Sequence, residues 1–207
     1  MTVPMMSDST TAPRSSIQIA LLMTGAIAGV LFITSFLVLG VVASNYDPMR
    51  DTISALESTD VGIAQRLNFI IFGLLLVCFA FGLRNELHKG RAALLAPFFQ
   101  ILSGIAVIGD GLFAHNPLHM TCDLIAFNST IAVLFLFAWR FWGDARWRGW
   151  ATYSIVTALA MTGFLTAFGI ANSHGGPAGA FEKLATVIRT PWSILLVGRF
   201  LRGARLS

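Results

Sequence analysis

The run Ile17–Ala43 reads IQIALLMTGAIAGVLFITSFLVLGVVA and contains no charged side chain. A helix that spans a membrane needs about 20 consecutive apolar residues, so this run is long enough to cross a bilayer. It is also longer than the roughly 7–15-residue apolar core of a signal peptide. We therefore predict that it is an uncleaved first membrane helix.

The rest of the chain has the same apolar character. Of its 207 residues, 56% are hydrophobic and 12% are charged, and the mean hydropathy is +0.74. Soluble domains carry about 25% charged residues, and disordered chains combine low hydrophobicity with high net charge. Both classes are excluded, and the two cysteines are too few for a disulfide framework.

Five further apolar runs of helical length follow the first, and none alternates with the period of two that marks a membrane β-strand. They are Gly62–Leu83, Ala92–Ala114, Leu118–Trp142, Gly149–Ala171 and Leu184–Leu201. The sequence predicts an all-α polytopic membrane protein built as a bundle of six transmembrane helices. Residues 1–16 are expected to be a disordered N-terminus, 17–202 a single domain and 203–207 a basic tail.

The charges between the runs predict the orientation. If six helices alternate, ten of the fourteen basic residues lie on the side of the termini, whereas seven of the ten acids lie on the other side. Because basic residues accumulate in cytoplasmic loops, both termini are expected in the cytoplasm, with the protein in the cell membrane. Since the basic residues flank membrane spans, no nucleic-acid partner is predicted.

The first outer loop, Ser44–Val61, reads SNYDPMRDTISALESTDV. Asp47 followed by Pro48 is typical of a helix start, and Ser54-x-x-Glu57 matches a capping box, so a short interfacial helix is predicted. Two interpretations remain open for the acids of this loop. They are caps and solvated groups, or Asp51 faces a cavity between helices and binds a ligand.

The second outer connection, Gly109–Asp123, reads GDGLFAHNPLHMTCD. Asn116 is a natural N-cap before Pro117, which places His119 and Asp123 four residues apart on one face of the fourth helix. Asp110 lies about one turn inside the third helix, and ionisable residues at such depth face the bundle interior. We expect these residues and His115 to converge near the outer leaflet.

The third outer loop, Asn172–Lys183, is glycine-rich and is expected to bring His174 close to the other histidines. Arg189 lies inside the last apolar run and is expected to pair with Asp110 or Asp123.

Three interpretations of these polar residues remain open. The first is a zinc site in which His115, His119 and His174 hold the metal, with Asp110 or Asp123 as catalytic base or orienting group. The second is a metal-free polar network. The third is a cavity that conducts protons or a ligand. If the polar cluster binds a ligand without chemistry, Asp51 and Arg189 are the candidate ligand-binding residues, with Arg189 as an anion anchor.

Three segments resemble a known family: Tyr46–Leu56 (YDPMRDTISAL), the connection from Asp110 to His119, and Gly179–Leu184 (GAFEKL). The chain resembles the prokaryotic membrane family known as domain of unknown function 998. This resemblance implies a multi-pass protein of the cytoplasmic membrane and names no substrate. A weaker similarity, at the level of the fold, is to zinc-dependent intramembrane hydrolases related to alkaline ceramidases.

The functional hypothesis is therefore a membrane protein whose outward polar cluster binds a small molecule, a lipid headgroup or a partner protein. The alternative is a zinc-dependent hydrolase that acts on a lipid at the outer leaflet. Whether the protein is an enzyme stays open. Gly25-x-x-x-Gly29 in the first run offers a surface for helix contact, and whether the chain forms a homo-oligomer stays open.

Overall fold

A computed structural model describes residues 14–87 and 90–203 of the chain. The predictions for the first 13 residues of the N-terminus and for residues 204–207 of the tail lie outside these described residues. Within them the regular structure is helical, with two short 3-10 helices at Ser54–Ser58 and Ala145–Trp147. The α-helices are α1 (Ser16–Val42), α2 (Gly62–Glu86), α3 (Arg91–Leu112), α4 (Leu118–Trp142), α5 (Arg148–Ser173), α6 (Ala178–Val187) and α7 (Arg189–Leu201).

The six predicted spans are confirmed, because six helical stretches in the described chain are long and apolar enough to cross a membrane. The sixth span differs from the prediction: it begins at Ala178 and consists of two helices that meet at Ile188. Pro191 explains the break. It has no N–H to donate to the carbonyl of Val187, and its ring would clash with that carbonyl in a continuous helix.

The six spans form a closed ring. Helices α1 to α5 pack against one another in chain order, α6 packs against α5, and α7 packs against α1. Glycines allow the closest approaches: a Cβ atom on Gly104 of α3 would lie 2.7 Å from the carbonyl oxygen of Gly73 on α2. Small residues at such crossings let two membrane helices approach at backbone distance.

The glycine pair of the first span is used inside this ring. A Cβ atom on Gly25 would collide with the Phe79 ring of α2, and one on Gly29 would collide with the Thr190 side chain of α7. Both positions therefore serve contacts within the chain. The helix contact predicted for this pair is therefore confirmed, and it lies between helices of the same chain.

The two ends of the ring differ in chemistry. At the end that carries both termini, Arg14 donates two hydrogen bonds to Glu86, at 2.6 and 2.8 Å, and Arg199 lies over the Trp147 ring. Ser15 and Gln18 form a capping box at the start of α1. The opposite end, formed by residues 43–61, 113–117 and 174–177 and the adjoining helix turns, is called the polar end below.

Replacing Gly104 with alanine is predicted to destabilise the fold, because the new methyl group forces α2 and α3 apart. Overpacking of this kind costs about 1–3 kcal/mol of unfolding free energy. Gly163→Ala on α5 is the matched control, since nothing lies within 4 Å of a Cβ atom there. Thermal unfolding in detergent measures both variants, and equal midpoints for Gly104→Ala and Gly163→Ala would contradict the close crossing.

Candidate metal centre

The first loop is tied to the start of α6 by backbone hydrogen bonds. The N–H groups of Gly179 and Ala180 donate to the carbonyls of Arg50 and Met49, both at 3.0 Å. These N–H groups belong to the first turn of α6 and have no partner within their own helix. The loop therefore caps the helix and is held across the polar end of the bundle.

Lys183 reinforces this attachment. Its ammonium group donates to the carbonyls of Pro48 at 3.0 Å and Asp51 at 2.7 Å, and it lies 5.2 Å from the centre of the Tyr46 ring. The Tyr46 hydroxyl donates in turn to the carbonyl of Thr52 at 3.1 Å. The segments Tyr46–Leu56 and Gly179–Leu184, which are far apart in sequence, thus form one contact.

Asp51, a predicted ligand-binding residue, belongs to the loop segment that forms this contact. One of its carboxylate oxygens accepts the N–H of Asp47 at 2.7 Å and so closes a turn. The predicted interfacial helix is replaced by this turn and by the 3-10 helix Ser54–Ser58. The predicted capping box is not formed, because the N-cap position of that helix, Ile53, makes no side-chain cap and Glu57 points inward.

Glu57 is one of two carboxylates that the loop holds inside the polar end. Its residue is only 6% exposed, and burial raises the pKa of its carboxyl group to about 7, although His119 and Arg66 act to lower it. The second carboxylate, Glu182 of α6, accepts the N–H of Ile53 at 2.7 Å. The same loop therefore orients both groups towards the helices beneath.

The predicted start of α4 is confirmed by the Asn116 side chain, whose oxygen accepts the N–H of Leu118 at 2.9 Å. This start aims the His119 ring at α3. Its Nδ1 lies 3.1 Å from the backbone oxygen of Asp110, and its Nε2 lies 3.6 Å from a carboxylate oxygen of Asp123. Because a carbonyl only accepts, the hydrogen of this bond lies on Nδ1, and the tautomer that binds metal then offers the lone pair of Nε2.

Asp110, His119 and Asp123 form the candidate site. One ligand atom from each residue lies within 4.8 Å of the others. Oδ1 of Asp110, Nε2 of His119 and Oε1 of the adjacent Glu57 are buried and have no hydrogen-bond partner among the described residues. A carboxylate oxygen and an imidazole lone pair that are both buried and unpaired form an environment for a cation.

The donor set suits a divalent ion. Zinc binds imidazole and carboxylate at about 2.0–2.2 Å, which places tetrahedral ligands roughly 3.3 Å apart. Because the three ligand atoms lie within 4.8 Å of one another, they would have to close by at most about 1.5 Å to reach this spacing. The bond from His119 to the Asp110 carbonyl is the arrangement that orients metal-binding histidines in proteins.

The other predicted metal ligands lie apart from this group. His115 is exposed in the connection before α4, with a positive φ of 63°. His174 is exposed beyond α5, and its Nδ1 lies 2.8 Å from the carbonyl oxygen of Ile170 and 2.9 Å from the Ser173 hydroxyl. The structure therefore brings together the two aspartates and one histidine, and it does not bring together the three histidines.

Arg189 has a different partner from the one expected. It forms no ion pair with Asp110, Asp123 or another described carboxylate, and its guanidinium donates to the Gln100 side chain at 2.9 Å. It lines a central cavity of about 60 Å³. Asp110, Asp123 and Glu182 line the same cavity, so the cation and the carboxylates share one space without direct contact.

Sequence reasoning missed Glu57, Glu182 and Gln100 as members of this region. Glu57 was interpreted as a cap or solvated acid, and only the fold reveals that its loop turns inward. Glu182 offered a signal, because it lies seven residues before Arg189 and so on the same helical face. Gln100 offered a weaker one, as a polar residue in the apolar run of the third span.

Comparison with known proteins places the chain in a family and supplies no activity. No curated protein and no solved structure matches it. The model of one family, described as "Protein of unknown function (DUF998)", matches residues 26–199. That match includes four complete spans and most of the first and sixth, together with all the residues of the candidate site. The chain therefore belongs to this family of membrane proteins of unknown function.

Proposed function

We propose that this protein binds one divalent metal ion at its polar end, with Asp110, His119 and Asp123 as ligands and zinc as the first candidate. The observation that carries the proposal is the buried Nε2 of His119, which has no hydrogen-bond partner among the described residues and lies 3.6 Å from an Asp123 carboxylate oxygen, close to the equally unpaired Oδ1 of Asp110. Glu57 is the nearest additional carboxylate, 3.9 Å from His119 Nδ1.

The charge of the region supports a bound cation. Glu57, Asp110 and Glu182 are each less than 7% exposed, and Asp123 lies beside them. Carboxylates crowded in a medium of low dielectric constant repel one another and must be neutralised by protons or by a cation. Arg189 does not supply that charge, because its described hydrogen bond goes to Gln100.

A hydrolase that acts on a lipid at the outer leaflet is the second candidate function. The observation in its favour is that three protein ligands leave a coordination position free, as in catalytic zinc sites. A bound zinc ion would lower the pKa of a water molecule to about 7. Glu57 lies on the loop side of the ligands, where its carboxylate would hold that water and accept its proton.

The purified protein is predicted to contain about one transition-metal ion per chain, because three donors are the usual protein contribution to an open zinc site. His119→Ala and Asp110→Asn should each lose most of this metal. Elemental mass spectrometry after purification in mild detergent measures the content.

His174→Ala is the matched control, since it removes a histidine of the same end that lies outside the site. Its metal content should equal that of the wild type. A wild-type protein without metal, or a loss in His174→Ala as large as in His119→Ala, would contradict the proposed ligand set.

The bound ion is also predicted to stabilise the fold. An ion present at 100 times its dissociation constant raises the unfolding free energy by about 2.7 kcal/mol. Asp123→Asn should abolish this gain, yet after chelation it should unfold no earlier than the wild type, because one crowded negative charge is gone. Thermal unfolding with and without chelator measures both effects.

Asp60→Asn is the control, because Asp60 bonds Ser44 on the loop surface and lies outside the site. This variant should keep the stabilisation by metal. Equal stabilisation by metal in Asp123→Asn and Asp60→Asn would contradict a site at Asp123.

A further inference from the structure

A large cleft separates α4 from α5 at the polar end. The two helices pack closely in the half opposite the polar end, where Phe137 of α4 and Ala158 of α5 belong to one apolar core. Towards the polar end they diverge: between Met161 and Ala171, α5, which the structure describes in full, has no buried residue. The resulting cleft measures about 740 Å³, within the usual range for ligand sites.

This cleft reaches the candidate metal centre through His119 and Asp123, whereas Asp110 lines the central cavity. Glu57, His119, Asp123 and Glu182 all line the cleft. The cleft therefore reaches the carboxylates and the imidazole from the side of the bundle, whereas the cavity lined by Arg189 reaches them from within.

The walls of the cleft present mainly hydrocarbon surface. Apolar side chains cover much of both helices, namely Leu124, Phe127, Ile131, Leu165 and Phe168. The polar side chains between them are satisfied within their own helices: Thr162 and Thr166 donate to the carbonyls four residues earlier, both at 2.9 Å. Asn128 donates in the same way to the Leu124 carbonyl at 2.7 Å. The two threonine hydroxyl groups therefore donate within their own helix, so a hydrocarbon chain can lie against them.

The position of the opening restricts what can enter. Its two long walls are membrane-spanning helices, so the cleft faces the bilayer between α4 and α5, while loop residues such as Thr52, Ser54 and Asn116 line it at the polar end. A polar solute approaching from that side would have to cross hydrocarbon, and a purely apolar molecule would leave the charged end unmatched. Only a molecule with a hydrocarbon chain and a polar head complements both the walls and the end.

We propose that the ligand of the metal centre is a membrane lipid, which enters between α4 and α5, places its acyl chain in the cleft and presents its polar head to His119 and Asp123, the two proposed metal ligands that line the cleft. The location of the head rests on the proposed function, whereas the location of the acyl chain rests on the cleft alone. The competing occupant of the cleft is a second copy of this chain.

Gly169 and Gly163 offer a matched pair of variants on α5. Both are exposed, and nothing lies within 4 Å of a Cβ atom at either position, so a larger side chain fits the fold. Gly169 lines the cleft, and Gly163 does not. Gly169→Trp therefore fills the cleft without touching a metal ligand, and Gly163→Trp places the same ring on the helix outside it.

The experiment uses the full chain in vesicles that contain a trace of phospholipid with a photoreactive diazirine in its acyl chain. After irradiation, peptide mass spectrometry maps the labelled residues, and metal content is measured on the same samples. The wild type should be labelled on the cleft residues of α4 and α5. In Gly169→Trp the labelling of the cleft residues should fall roughly ten-fold relative to the wild type. In Gly163→Trp it should stay at the wild-type level, and both variants should keep their metal.

Three results would overturn the lipid proposal: labelling spread evenly over all exposed helix faces, equal cleft labelling in both tryptophan variants, or an unlabelled cleft in a protein that elutes as a dimer. Failure of the metal proposal is a separate result. Cleft labelling that Gly169→Trp removes, in a protein without metal, would overturn the metal centre and leave the lipid cleft standing.

Discussion

The hydrocarbon of a bilayer offers no hydrogen-bond partners, and this constraint governs the whole structure. Every backbone group in a span must be satisfied by the helix itself or by a neighbouring part of the chain. The two ends of the sixth span follow this rule in different ways. At Ala178 the first N–H groups take carbonyls of the loop, and at Pro191 the chain interrupts the helix where a donor is missing.

The same constraint makes buried polar groups without hydrogen-bond partners significant. Thr162 and Thr166 satisfy their hydroxyl groups within α5, and the Trp192 indole finds the Ser154 hydroxyl at 2.9 Å. Against that pattern, unpaired donors and acceptors of Asp110, His119 and Glu57 in one small region stand out. Buried polar groups without partners are few in native proteins and call for an unseen ion or water. The one hydrogen bond that His119 does make points its free nitrogen towards the carboxylates, which favours a cation.

The loop Ser44–Val61 links the fold to this site. Its backbone carbonyls cap α6 and bind Lys183, and its N–H at Ile53 fixes Glu182. The loop also carries Glu57 into the bundle. Held at these points, the loop lies against α6 and lines the same cleft between α4 and α5 that leads to the carboxylates.

The spans could be predicted from sequence because apolar length is a local property, and the prediction was accurate within a few residues for five of them. The spacing of His119 and Asp123 was also predictable, since a helix dictates which residues share a face. The inward turn of Glu57 was not predictable, because it depends on contacts with α6 more than 120 residues away in sequence. The same holds for Arg189, whose partner Gln100 lies on a different helix. Histidine count alone suggested a three-histidine site, whereas the fold leaves His115 and His174 at the surface.

An X-ray absorption spectrum of the purified protein at the zinc edge tests the central claim most directly, because it reports the atoms bound to the metal. The account predicts a first shell of oxygen and nitrogen at about 2.0–2.2 Å with the scattering pattern of a single imidazole. Two or three imidazoles, a sulfur neighbour at about 2.3 Å, or a protein without any metal edge would contradict it.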